Sequence, residues 1–306
     1  MKAPDIIEFY HKPEDPQNVS DCSGVVIDKD FREFLPDSDH KIISAEWTKA
    51  LTTHPQLFSK TRGIVSLRST SRVSEGSLDF IFADFATYLA INRTAEHPFP
   101  PMSPFAYDKM MAGSLGAAVY TSDGLVLTHK RPEGLSHVSN VRDASVGAFM
   151  RNPDALNSLN FGQQFGMVLA RELNFTPKEI ENLTAGKDGY SLKLTGVHSC
   201  SKPDFSGMVN AAIRVPFTYK ELVERANSAA LHDPLGVPVD ELPEYIFNHF
   251  LRPESPEQRL ISDGVATLAA SLPHDDFLKL FSRINHERSG TFSLGELCDG
   301  VFHKLS

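Results

Sequence analysis

The chain has 306 residues, 41% hydrophobic and 23% charged, enough to bury a core without staples and suggestive of two domains or one with an appendage. Its formal net charge of −9 argues against nucleic acid as a partner, because phosphate-backbone recognition rests on an excess of Lys and Arg. The densest basic stretch, Lys60 to Arg72, is interleaved with Ser and Thr. Three scattered cysteines (Cys22, Cys200, Cys298), with neither a Cys-x-x-Cys pair nor zinc-type spacing, fit a reducing compartment. Met1 to Asp15 lacks the apolar centre of a secretory signal, and no apolar run approaches the roughly 20 residues of a membrane span. The expectation is a soluble cytoplasmic protein with no membrane partner, whose sequons at Asn92 and Asn182 go unused.

Four stretches separate along the chain. The first contains strand-like pieces at Ser23 to Ile27 and Gly63 to Leu67, then an aromatic-rich run from Leu78 to Ile91. The proline cluster between Pro98 and Pro104 reads as a linker or tight crossing. In the second stretch, Leu115 to Tyr120, the turn Ser122-Asp-Gly124 and Leu125 to Thr128 predict a hairpin, and Ala144 to Met150 a further strand. Phe161, Phe165, Val168, Leu169 and Leu173 recur at helical spacing and predict an amphipathic helix over Phe161 to Asn174. Thr176-Pro-Lys-Glu179 has the form of a helix start, with Thr as N-cap, Pro first and Glu three residues on. Leu192 to Val197 and Met208 to Phe217 read as strands. The third stretch, Tyr219 to Phe250, alternates helix-like and loop-like pieces, and the fourth, Pro253 to Ser306, reads as all-helical.

This order of elements resembles the Nudix hydrolase superfamily. Leu115 to Arg131 is similar to that family's opening hairpin, and Ala144-Ser-Val-Gly147 to the strand leading into its catalytic box. Glu172 to Ile180 resembles the helix end, where the family usually has Glu-Glu-Leu-Gly-Leu, and Val237 to Glu244 the late loop that closes the substrate cleft. Upstream, Leu67 to Arg93 resembles the N-terminal module of the eukaryotic UDP-glucose pyrophosphatase branch, whose members also stretch the box with an insertion. The resemblance implies a Nudix-like α/β/α sandwich at 105–250, flanked by a small α+β module at 1–104 and a C-terminal helical appendage at 251–306.

The family's chemistry needs several carboxylates on one helix face to hold magnesium beside a diphosphate. Aligned on Glu172-Leu-Asn-Phe, the box places Met167, Val168 and Arg171 where an Arg and two acids are expected, leaving only Glu172. The other register, starting at Arg171, puts Phe175 and Thr176 at the paired acids. Either way the box is eroded, and Arg171 sets a cation where a metal belongs. Glu172 is the candidate catalytic and metal-ligating residue, with a solvated charge on a helix face as the alternative. Lys130 and Arg131 match the strand end where relatives contact phosphate, and a solvated basic pair is the plain alternative. His129, His137 and His198 fall at cleft edges, with His198 taken as a substrate-binding candidate and each of them open to a structural role.

At the C-terminus, Asn285 to Glu296 follows the twelve-position pattern of an EF-hand. Asn285, Glu287, Ser289 and Glu296 supply side-chain oxygens, Thr291 a carbonyl, and Gly290 the turn. Phe277, Leu280, Phe281 and Ile284 form an entering stripe, and Leu294, Leu297 and Val301 an exiting one. Asn285 in place of Asp removes a charge, so Ca²⁺ at this loop and a plain helical hairpin are both open. Glu244 to Leu272 is the expected ligand-less partner of the pair.

The resemblance implies an enzyme acting on a diphosphate-linked small molecule, such as a nucleotide sugar, through a non-standard site in which Mg²⁺ is one expected ion. Two other functions stay open, since fold does not fix function. One is a metal-independent isomerase, cyclase or lyase reusing the cleft in small-molecule biosynthesis. The other is a non-catalytic or calcium-responsive binding module. Homo-oligomerisation is open as well.

Overall fold

The computed structural model describes residues 7–11, 14–53, 55, 63–69, 77–95, 97, 99–131, 140–151, 158–200, 206–228 and 230–294. In chain order the first third gives β1 (Ile7–His11), β2 (Gln17–Asn18), β3 (Ser23–Asp30), α1 (Asp37–Thr53), β4 (Gly63–Ser69), β5 (Ser77–Asp84), α2 (Phe85–Ala95) and α3 (Pro104–Lys109). The centre gives β6 (Ala112–Tyr120), β7 (Leu125–Lys130), β8 (Arg142–Asp143), β9 (Val146–Phe149), β10 (Ser158–Asn160), α4 (Phe161–Leu173), α5 (Pro177–Ala185), β11 (Ser191–Cys200) and β12 (Ser206–Arg214). The rest gives α6 (Tyr219–Arg225), β13 (His232–Pro238), α7 (Leu242–Leu251), α8 (Ser262–Ser271), α9 (His274–Glu287) and β14 (Phe292–Leu294).

The class is mixed α/β, and among the described residues the strands join one mixed sheet of 14. Its hub is β6, buried along its whole length, as a strand covered on both faces must be. On one side β6 runs parallel to β12, which is antiparallel to β11. On the other side its first half pairs with β9 and its last two residues with β7. The sheet forks there. The chain passes from β8, paired to β7, into β9, paired to β6, through Ala144 and Ser145. Buried Ser145 closes the gap, accepting a hydrogen bond from the Val119 N–H at 2.7 Å and donating to the Leu127 carbonyl. Two backbone groups that the fork strips of ladder partners are thereby satisfied.

Helices cover both faces. On one, Phe161, Phe165, Val168, Leu169 and Leu173 of α4 join Leu183 and Leu222 over Leu115, Ala117, Val209 and Ala211. The α4 stripe is buried at the spacing its sequence sets, and the helix begins where the Asn160 side chain accepts the Gln163 N–H. It ends at Asn174, held left-handed at φ 52°, a conformation Asn tolerates better than most residues. A reciprocal Thr176–Glu179 capping box with Pro177 at the first position starts α5.

On the other face, Ile246, Phe247 and Phe250 of α7, Val265 to Ala270 of α8 and Phe277, Leu280 and Ile284 of α9 share one cluster with Ala118, Tyr120 and Val126. The helices between Ser262 and Glu287 therefore form a layer over the central sheet. The N-terminal strands interlace with it as well. β1 lies between β11 and β14, β10 pairs with β3, and β4 meets β6 at Ser66↔Ala112.

Two elements depart from the sequence expectation. The third stretch contains a strand, β13, which pairs with β7. The fourth is not all helix, because α9 stops at Glu287, Gly290 takes φ 76° and β14 then pairs parallel with β1. Among the described residues no helix is long and apolar enough to cross a membrane.

Candidate functional site

The fork in the sheet positions the candidate site. β8 carries Arg142 and Asp143, and its backbone is gripped from the far side as well. The Arg142 N–H donates to the Arg259 carbonyl at 2.9 Å, and the Ile261 N–H donates to the Arg142 carbonyl at 3.0 Å. This bridge brings the first turn of α8, with Asp263, up against Asp143. The approach is close, since a Cβ on Gly264 would lie 2.8 Å from Asp143 Oδ1.

Asp143 is the centre of the group. Its carboxylate accepts the Ala144 N–H at 2.7 Å and lies 3.7 Å from Arg131 Nη1. Burial pushes its pKa up to about 6, with the Asp263 charge adding to the rise and Arg131 and the Ala144 N–H opposing it. Glu172 belongs to the same neighbourhood. Burial raises its pKa, and so does the Asp143 charge, against the pull of the Arg171 guanidinium and the Gly147 N–H. Glu172 is therefore not a solvated surface charge, for its side chain is 12% exposed and paired with Arg171. Gly147 and Glu172, the two box residues that the resemblance retains, lie on β9 and α4, which pack against each other.

The remaining box positions do not supply ligands. Val168 is buried in the core, Met167 is 39% exposed, and Arg171 holds Glu172. On α4 the donor set is one carboxylate already paired with a cation, which does not fit a cluster that needs several free oxygens around magnesium.

Lys130 lies 3.4 Å from both Asp233 and Glu257, so two carboxylates hold its ammonium. Arg131 faces Asp143 at longer range and is the less committed cation. Arg142 donates to the Asp233 carbonyl at 2.6 Å and to its carboxylate at 2.8 Å, tying β8 to β13. Buried His129 contacts the Lys130 carbonyl through Nδ1 at 2.9 Å, and burial lowers its pKa to about 4, so the ring is neutral at pH 7. His137 lies outside the described residues.

His198 is separate from the strand end that carries Lys130 and Arg131. It is wholly buried on β11, with Nε2 3.5 Å from Asp263 and Nδ1 2.8 Å from the Asn210 amide. At 3.5 Å the Asp263 contact is too long for a hydrogen bond, and Nε2 has no hydrogen-bond partner. Burial alone would raise the Asp263 pKa. The polar groups around it, His198, Cys200 and Ser206, of which Ser206 donates a hydrogen bond at 2.8 Å, hold it below its ordinary value. Sequence reasoning passed over Asp143, Asp263 and Cys200. Asp143 directly precedes the Ala144-Ser-Val-Gly147 strand, which was the one signal within reach.

At the C-terminal loop three of the expected calcium ligands, Asn285, Glu287 and Thr291, have other partners. Asn285 grips the Phe292 backbone, its Nδ2 donating to the carbonyl and its Oδ1 accepting the N–H, each at 2.8 Å. Glu287 pairs with Arg252 at 2.7 Å, and the Thr291 carbonyl accepts the Ile7 N–H at 2.8 Å. Ser289 is exposed, and Glu296 lies outside the described residues.

No family model matches the chain, and no curated protein matches it. Solved structures similar to it include the crystal structure of DR0079 from Deinococcus radiodurans at 1.9 Å. That protein is 17% identical over 44% of this chain and 72% of its own, with a TM-score of 0.31, a likeness too loose to bear on function.

Proposed function

We propose that the protein is a Nudix-like enzyme that acts on a diphosphate-linked small molecule by proton transfer, without the family's magnesium cluster. One observation carries this reading: two shielded carboxyls, Asp143 and Glu172, each hold a proton more tightly than usual because they are buried, with the Asp143 charge adding to the rise at Glu172, beside the guanidinium groups of Arg131 and Arg171. Paired titratable groups pushed towards neutral pH are the usual equipment of acid–base catalysis. The resemblance of Leu115 to Arg131 and of Ala144 to Gly147 to Nudix segments supports a diphosphate substrate.

In this reading Arg131 meets the substrate phosphate and so leaves Asp143, whose proton affinity then rises further. Asp143 hands its proton to the substrate, and Glu172 takes one up from it. Chemistry of this kind is isomerisation or elimination rather than metal-assisted hydrolysis. Lys130, held by Asp233 and Glu257, keeps the strand end in place.

Calorimetric titration of the full chain with inorganic pyrophosphate and with a nucleotide sugar, in chelator, tests the binding half. Saturable binding that Arg131→Gln weakens roughly tenfold or more is expected, the loss that follows when a charged hydrogen bond is removed. Absence of binding, or binding indifferent to Arg131→Gln, overturns the assignment.

A further inference from the structure

We infer that His198, Cys200 and Asp263 form a zinc-binding site at the closed end of the β11–β12 hairpin, where Cys200 pairs with Ser206. This site stands independently of the proposed function.

The strand places two of the ligands. His198 and Cys200 are two residues apart on β11, so their side chains leave the same face of the sheet. That face is covered by α8, whose first turn presents Asp263. One ligand atom from each of the three residues lies within 4.8 Å of the others. Zinc bonds of about 2.0–2.3 Å would draw such atoms to roughly 3.5 Å apart, a closure of about 1 Å at the widest edge. Imidazole, thiolate and carboxylate together select a borderline-soft divalent ion over magnesium or calcium.

The orphaned nitrogen is the independent sign of a ligand. His198 is 0% exposed, and its Nε2, aimed at Asp263, lacks a hydrogen-bond partner. A buried polar atom left in this state is costly and calls for a partner. The network behind the ring suits metal binding through Nε2. Asn210 contacts Nδ1 at 2.8 Å and Thr267 Oγ1 at 3.0 Å, and Thr267 also reaches Met208 Sδ at 3.2 Å. With the Asn210 amide turned over, Nδ1–H donates to Asn210 Oδ1, Asn210 Nδ2 donates to Thr267, and the Thr267 hydroxyl donates to Met208. Every group stays satisfied, and the Nε2 lone pair is released towards the ion, the usual outer-shell arrangement of a metal-bound histidine.

Charge also balances. Binding expels one proton from Cys200 to solvent, and a thiolate with a carboxylate neutralises the doubly charged ion, so no net charge is buried. Asp263, 15% exposed, provides the side of entry. A water completes the fourth position. A filled site ties the β11–β12 hairpin to α8, next to Asp143.

The test uses the full chain, stripped with chelator and kept reduced, and titrated with Zn²⁺ against a chromophoric competitor and with Co²⁺ as spectroscopic probe. One equivalent binds, and Co²⁺ gives a thiolate charge-transfer band that survives Cys22→Ser combined with Cys298→Ser and vanishes in Cys200→Ser. The near-isosteric Asp263→Asn weakens zinc at least tenfold while its circular dichroism stays native, which keeps the test decisive should Cys200→Ser misfold. Failure to bind one equivalent, or a charge-transfer band that persists without the Cys200 sulfur, overturns the site.

Discussion

Replacing Asp143 by Asn isolates the strain that the fork places on one carboxyl. Burial raises the Asp143 pKa from the ordinary 3.8 to about 6. A carboxyl whose folded pKa is raised contributes stability that is complete below its unfolded pKa and is lost as pH climbs through the folded value. The wild type therefore loses stability between about pH 4 and pH 7 relative to the variant. The full displacement corresponds to about 3 kcal/mol, at about 1.4 kcal/mol per tenfold change in proton affinity. The Asp143 side chain is 24% exposed, so solvent screening trims the expectation to about 2 kcal/mol. Asn keeps the acceptor for the Ala144 N–H and gives up only the 3.7 Å contact to Arg131. Urea unfolding of both proteins from pH 4 to pH 8 reads the difference directly. Asp143→Asn should match the wild type near pH 4 and exceed it above pH 7. A stability gap that stays flat across this range, or one that favours the wild type at high pH, refutes the reasoning.

Three further outcomes follow from local geometry. Gly264→Ala puts a methyl 2.8 Å from Asp143 Oδ1 and 3.0 Å from the Ala144 nitrogen, so α8 must move off β8 at a cost of about 1–3 kcal/mol in chemical denaturation. Asn285→Ala removes both hydrogen bonds to Phe292 and leaves that backbone unpartnered, lowering stability by about 1–3 kcal/mol; with those atoms engaged, millimolar calcium leaves the wild-type melting curve unchanged. Arg225→Lys keeps the charge but loses the two-pronged hold on Glu179 and the stacking over Phe175 and Phe217, which should cost about 1–2 kcal/mol by thermal or urea melts.

Local rules made α4, α5 and the central strands readable. The α4 stripe is strongly periodic, and Thr176, Pro177 and Glu179 spell the start of α5 in consecutive chemistry, so neighbours in sequence are sufficient to fix these elements. β13 could not be read that way. Its His232–Pro238 run holds two prolines, one glycine and two exposed residues at its start, and it is a strand because β7 offers an edge to pair with. β14 is likewise made by its partner β1 from the far end of the chain. The candidate site was legible only where the resemblance reached, at Arg131, Gly147 and Glu172. Asp143 meets Asp263 because Arg142 pairs with the backbone around Leu260. Cys200 meets Asp263 because α8 lies across β11. Neither meeting leaves a mark in residue spacing. In the calcium-loop pattern, spacing could not show that Asn285 would bond the Phe292 backbone or that Glu287 would pair with Arg252.

Turnover of a diphosphate panel, including nucleotide sugars, in excess chelator and in magnesium tests the central claim most directly. The account predicts product formation in chelator that falls at least a hundredfold in both Asp143→Asn and Glu172→Gln, the size expected when a general acid or base is lost. Turnover that appears only with magnesium, or that survives both substitutions, contradicts it.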